Sequence, residues 1–104
     1  MQDDVSVRLG GLAANLSRIK SFAKNEKNRS LVESLIEESK HFIEWIARDT
    51  EIETAAKLVE LQVELALWQI NMHQIWLDEN QRSQISEKSN TWSQQILTAS
   101  GLLG

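Results

Sequence analysis

The sequence predicts an all-α protein, an up-and-down bundle of four helices, and three observations carry that prediction. The chain contains no proline. No glycine lies between Gly11 and Gly101, so Leu12 to Ser100 holds neither of the strongest helix breakers. Over the same stretch, apolar residues recur at alternating spacings of three and four, which lines one face of an α-helix.

The first helix has the seam Val5, Leu9, Leu12, Leu16, Ile19, Ala23. Gly10 and Gly11 fall on the other side of the wheel and soften its first turns, each by about 1 kcal/mol relative to Ala. The helix is therefore expected to be firm from Leu12 to about Ala23. The polar run Asn25 to Arg29 reads as a turn. Ser30-Leu31-Val32-Glu33 then matches a capping box, in which Ser and Glu each satisfy a free backbone N–H. It opens a second helix over about 31–48, with the seam Val32, Leu35, Ile36, Ser39, Phe42, Ile43, Ile46.

Thr50-Glu51-Ile52-Glu53 is a second capping box. The connection before it is so short that helices two and three are expected to form an antiparallel hairpin. Helix three carries two apolar seams. One reads Ile52, Ala56, Val59, Val63, Ala66, Ile70, His73, Leu77, and the other Leu61, Leu65, Trp68, Met72, Ile75. At about 100° per residue they lie on opposite faces. A helix apolar nearly all round is buried nearly all round, which makes helix three the expected central element. Three other short helices cover one such face more readily than two. The second seam, flanked by Trp76, is therefore expected to meet a second copy of the chain in a homodimer, and the first to form the intramolecular core.

Beyond Asp78 the pattern slips to Ile85, Ser89, Trp92, Ile96, Ala99, Leu103, thinned by Ser83, Ser86, Ser89 and Ser93. Asp78-Glu79-Asn80 is the expected break, giving a fourth helix over about 82–100 and a frayed Gly101–Gly104 tail. A continuous helix over 51–100 would leave three helices.

Residues 1–104 are expected to form a single domain, since 104 residues suffice for a core without staples. Without cysteine there are no disulfides and no thiolate sites. The acidic start Met1-Gln2-Asp3-Asp4 lacks the apolar region of a secretory signal. The longest uncharged run, 13 residues between Glu64 and Asp78, is too short for a membrane span of roughly 20. A cytoplasmic protein is the expectation. Residues 1–30 hold six Lys/Arg against three Asp/Glu, and residues 31–104 five against twelve. The basic cluster from Arg18 to Arg29 has no aromatic stacking platform and belongs to an acidic chain, so nucleic acid is not an expected partner.

No motif points to catalysis. Glu38-Ser39-Lys40-His41 has the E-x-x-H spacing of di-iron helical bundles, which need two such motifs. His41 lies opposite the helix-two seam, facing solvent. Neither histidine is followed by the Lys and Gly of a phosphotransfer domain. No G-x-S-x-G elbow is present. His73 sits in a seam with Gln62 and Gln69 on the same side, so these three residues are a candidate small-ligand pocket inside the bundle or, more simply, a buried polar network that fixes register. Glu33, Glu37, Glu38, Glu53, Glu60 and Glu64 raise a Mg²⁺-dependent all-α hydrolase, without reproducing the paired E-x-x-E and E-x-x-D of all-α nucleotide pyrophosphohydrolases. The expectation is a non-enzymatic interaction or regulatory module without cofactor or bound metal. At least one of Trp45, Trp68, Trp76 and Trp92 is expected in an intermolecular contact, since Trp buries much area and keeps one polar N–H.

Overall fold

In the computed structural model, which describes residues 2–101 and the side chains from Val5 to Gly101, the chain is all-helical. Among the described residues there are five helices and no strand: α1 (Gln2–Phe22), α2 (Arg29–Ala47), α3 (Ile52–Ile70), the short α4 (Met72–Trp76) and α5 (Glu79–Ser100). A single 3-10 turn, Glu26–Asn28, joins α1 to α2. Leu103 and the rest of the tail after Gly101 lie outside the described residues.

The closest packing is between α1 and α5, and serine hydroxyls set it. Ser6 Oγ donates to the Ser100 carbonyl at 3.0 Å, Ser93 Oγ to that of Ala13 at 2.8 Å, and Ser86 Oγ to that of Lys20 at 2.7 Å. The contacts step by seven residues along each helix in opposite directions, so the helices run antiparallel and stay in register over four turns. Serine is small enough to let the backbones approach, and its hydroxyl finds a carbonyl there. Three of the four serines that thinned the apolar pattern of α5, Ser86, Ser89 and Ser93, are thus part of its packing surface and buried, as is Ser100, while Ser83 is exposed.

On its other side α1 packs against α2. Gly11 lets the Phe42 ring sit close to the α1 backbone: a Cβ there would lie 3.1 Å from the ring, tighter than ordinary contact. Both glycines are accommodated within α1, and Leu9, Leu12, Ala13, Leu16, Ile19 and Ala23 are buried. Helix α1, not α3, is therefore the most enclosed element, a correction to the sequence expectation. Helix α3 packs mainly on α2 and is the least enclosed of the long helices.

Neither capping box forms. Helix α2 begins at Arg29, one residue before Ser30, because the 3-10 turn runs directly into it; Asn25 accepts from the Lys27 N–H and caps that turn instead. The residue before α3 is Glu51 rather than Thr50, and it makes no side-chain cap bond. The break before α5 does occur, with Asp78 as its N-cap accepting from the Asn80 N–H at 2.8 Å. A second break was not expected. Asn71 leaves helical geometry (φ −101°, ψ 10°), and its side-chain amide donates to the Leu67 carbonyl, splitting off α4. Asn competes with the backbone in this way and so favours helix ends. Trp76 then ties α4 to the α1–α2 turn through a 2.6 Å bond from Nε1 to the Glu26 carbonyl.

Two buried serines on α5 differ in one respect that makes a test. Ser93 is hydrogen-bonded to α1, whereas Ser89 Oγ is buried without a partner. Ser93→Ala is expected to lower unfolding free energy by about 1 kcal/mol, and Ser89→Ala to leave it unchanged or raise it. Urea denaturation of both variants measures this; equal losses would show that the inter-helix bond is not what matters at Ser93.

Candidate functional site

Helix α3 presents the two apolar faces expected of it, with their roles exchanged. Leu61 and Leu65 are fully buried and Trp68, Met72 and Ile75 nearly so, as are Leu58 one step earlier and Trp76. These residues, expected to meet a second copy of the chain, lie instead inside one chain. The physical reason is size. Leu, Trp and Met bury more area per position than the Ala and Val of the opposite seam, and the larger face takes the core. The opposite seam, expected as core, is exposed. Ile52 is 88% and Ile70 78% exposed, and Val59, Val63, Leu67 and Leu77 are each more than half exposed.

The rotation of α3 that produces this arrangement is held by polar contacts with α2. Lys40 Nζ donates to Gln69 Oε1 and Gln69 Nε2 donates to Glu37 Oε2, both at 2.7 Å. On the other flank Trp92 Nε1 donates to Glu64 Oε2 at 3.3 Å, and Lys88 lies 3.4 Å from Glu64 Oε1. With one flank tied to α2 and the other to α5, the Ile52–Ile70 face can only point outward.

These contacts also locate the candidate pocket residues. Gln69 is occupied by Lys40 and Glu37, and His73 is exposed on the outer side. Gln62 is half-buried, and its Oε1 is buried without a partner. Gln62 and Gln69 lie on α3 and His73 on α4, and the three do not line a common pocket. The glutamates separate likewise. Glu37 belongs to the α2 flank and Glu64 to the α5 flank, while Glu60 is exposed. Among the described residues no three acidic or histidine side chains gather as a metal-holding group. His41 is exposed beside Glu37 and Glu44, at 3.5 and 3.8 Å.

Among the tryptophans, Trp68 and Trp76 are core, Trp92 is half-buried against it, and Trp45 is exposed. The Arg8 guanidinium lies 4.6 Å from the centre of the Trp45 ring, a cation–π contact. Arg8 also donates to the Trp45 carbonyl at 3.1 Å and to Asp49 at 3.2 Å, tying α1 to the end of α2. In the basic stretch, Arg18 bonds Asn15 and Arg29 pairs with Glu33. A cleft of about 620 Å³ opens at one end of the molecule between Val5, Leu9, Asp49, Thr50, Glu51, Thr54 and Ala99. No histidine or cysteine lines it, and the acidic pair Asp49 and Glu51 is the only charge on its walls among the described residues.

Among the described residues no helix is long and apolar enough to cross a membrane. Comparison with family models, curated proteins and solved structures finds no match to this chain.

The exchange of faces predicts opposite sensitivities on one helix. Leu65→Ala is expected to destabilise the fold by about 2–5 kcal/mol, as buried Leu deletions do. Val63→Ala, measured in dilute solution, is expected to change stability by no more than about 0.5 kcal/mol. Thermal denaturation of the two variants checks both, and a larger loss at Val63 would mean that the outer face is packed after all.

Proposed function

We propose that this chain is a non-enzymatic helical bundle that acts as a protein–protein interaction or regulatory module, associating with a second copy of itself through α3. The contact surface in this reading is the outer face of α3, from Ile52 to Ile70. The observation that carries it is the exposure of that face. A contiguous apolar stripe on a small water-exposed helix marks a contact surface more often than an accident of composition. Support for the bundle comes from the antiparallel serine register of α1 and α5 and from the 42 × 24 × 18 Å extents, whose cross-section is about two helix diameters each way.

Two features favour a protein partner over a small molecule or a lipid surface. The stripe is convex, whereas ligand sites are concave. Its edge carries Glu53 and Glu60, and the chain has a formal net charge of −4, so an anionic membrane repels it.

Light scattering on wild type, Val63→Glu and Trp68→Glu tests the reading. Wild type is expected to be a dimer at about 10–300 μM, since partial burial of a dozen apolar side chains exceeds the entropic loss of association only narrowly. Val63→Glu is expected to be a monomer with an unchanged circular dichroism spectrum. Trp68→Glu is expected to lose its fold, because it places a charge in the core. A wild-type monomer throughout that range would end the self-association reading.

A further inference from the structure

The outer face of α3 has an internal symmetry. Its central stripe reads Ile52, Ala56, Val59, Val63, Ala66, Ile70, at spacings of four, three, four, three and four, with the exposed Leu67 beside it and outside the symmetry. Both the residue types and the spacings are the same read in either direction, about a point level with Leu61. Five of the six side chains are exposed and Ala66 is half-exposed, so the whole pattern faces outward.

We infer that two copies of the chain pair through α3 in an antiparallel arrangement, with a two-fold axis crossing the helix at the level of Leu61. This inference rests on the self-association proposed above and adds its geometry. An antiparallel pair about that axis sets Ile52 against the partner subunit's Ile70, Ala56 against the partner's Ala66, and Val59 against the partner's Val63. Every layer is then matched in size, and each layer occurs twice, as a two-fold contact requires. The two Ala layers let the backbones come close, while the Ile layers close the ends. A parallel pair places each residue against its own copy whatever the sequence, so it has no use for the reversal symmetry. An unrelated partner has none either. The helix dipoles oppose each other in the antiparallel pair and align unfavourably in the parallel one. The structure leaves room for the approach, because the flanks of α3 are already tied down by Gln69 on one side and Glu64 on the other, away from the stripe.

The chain has no cysteine, so introduced thiols report without background. Ile52→Cys and Ile70→Cys are both at exposed positions and are expected to fold normally. With a short bis-maleimide, a mixture of the two variants is expected to give covalent dimer, and each variant alone almost none. A chain carrying Ile52→Glu together with Ile70→Lys is expected to remain dimeric by light scattering, because each Glu then meets a Lys. A chain carrying Glu at both positions is expected to be a monomer. If each Cys variant cross-links to itself and the Glu/Lys chain dissociates, the pair is parallel and the inference is overturned while self-association stands. A wild-type monomer overturns both. A wild-type dimer that neither cross-links in the mixture nor responds to the double Glu chain uses another face, and that also overturns both.

Discussion

The structure depends on how closely α1 and α5 approach each other. Helices packed through large side chains stand about 8–10 Å apart, and a smaller interface residue brings them to the near end of that range. Here the contact is made by serines spaced by seven on α5, whose hydroxyls reach the backbone of α1 at Ala13 and Lys20. A hydroxyl bonded to a fixed carbonyl sets register in a way that an aliphatic side chain cannot, because its partner has one position and one direction. Once α5 is docked, one side of α1 is used up and the other goes to α2, where Gly11 admits the Phe42 ring. Helix α3 is left to lie against α2 with its large face inward and no further helix to cover its back.

Polar contacts then fix the heights at which the helices meet. Arg8 fastens α1 to the end of α2 through Asp49 and the Trp45 carbonyl. Asn15, itself buried, links Glu38 on α2 and Arg18 on α1. Trp76 closes the opposite end against Glu26. Apart from the Arg18–Asn15 bond within α1, these bonds join residues far apart in sequence at a defined height, so sliding one helix by a turn would break several at once and leave buried groups unpaired. The rotation of α3 is a consequence of the same kind of bond, through Lys40, Glu37 and Gln69.

The helical content was legible because it depends on local rules: no proline, no glycine between Gly11 and Gly101 and an apolar period near 3.6. The seam of α1 and the break at Asp78 followed from the same rules. What periodicity could not supply was which of two apolar faces on α3 turns inward. Both seams alternate spacings of four and three, so spacing did not separate them; burial follows area, and Leu58, Leu61, Leu65, Trp68 and Met72 have more of it. The signal was present in residue size rather than spacing. The serines of α5 misled for a related reason. Polar residues in a seam read as weakness, whereas at a spacing of seven they mark a close helix–helix contact. The capping boxes failed because S-x-x-E matches are common and the 3-10 turn began α2 a residue early. The partnerless Gln62 Oε1 and the dispersal of the glutamates depend on side-chain rotation, which no linear pattern encodes.

The same reasoning connects the inside of the molecule to its outside. A helix with one broad apolar face needs only to be docked, but α3 has two, and the second is retained at a cost in solubility. If the outer face were spare core, its residues would vary in size along the helix, as the inner face does from Leu58 through Trp68 to Met72. Instead its stripe of six positions at spacings of four and three is built from Ile, Ala and Val in mirror order, with Ile at both ends of the helix, and Leu67 is exposed beside it outside that order. Small residues at a helix–helix contact favour close approach of two backbones, which is how α1 and α5 meet within the chain. In the proposed pair the outer face of α3 would use alanine where α5 uses serine, and alanine has no hydroxyl to leave unpaired when a second copy is absent.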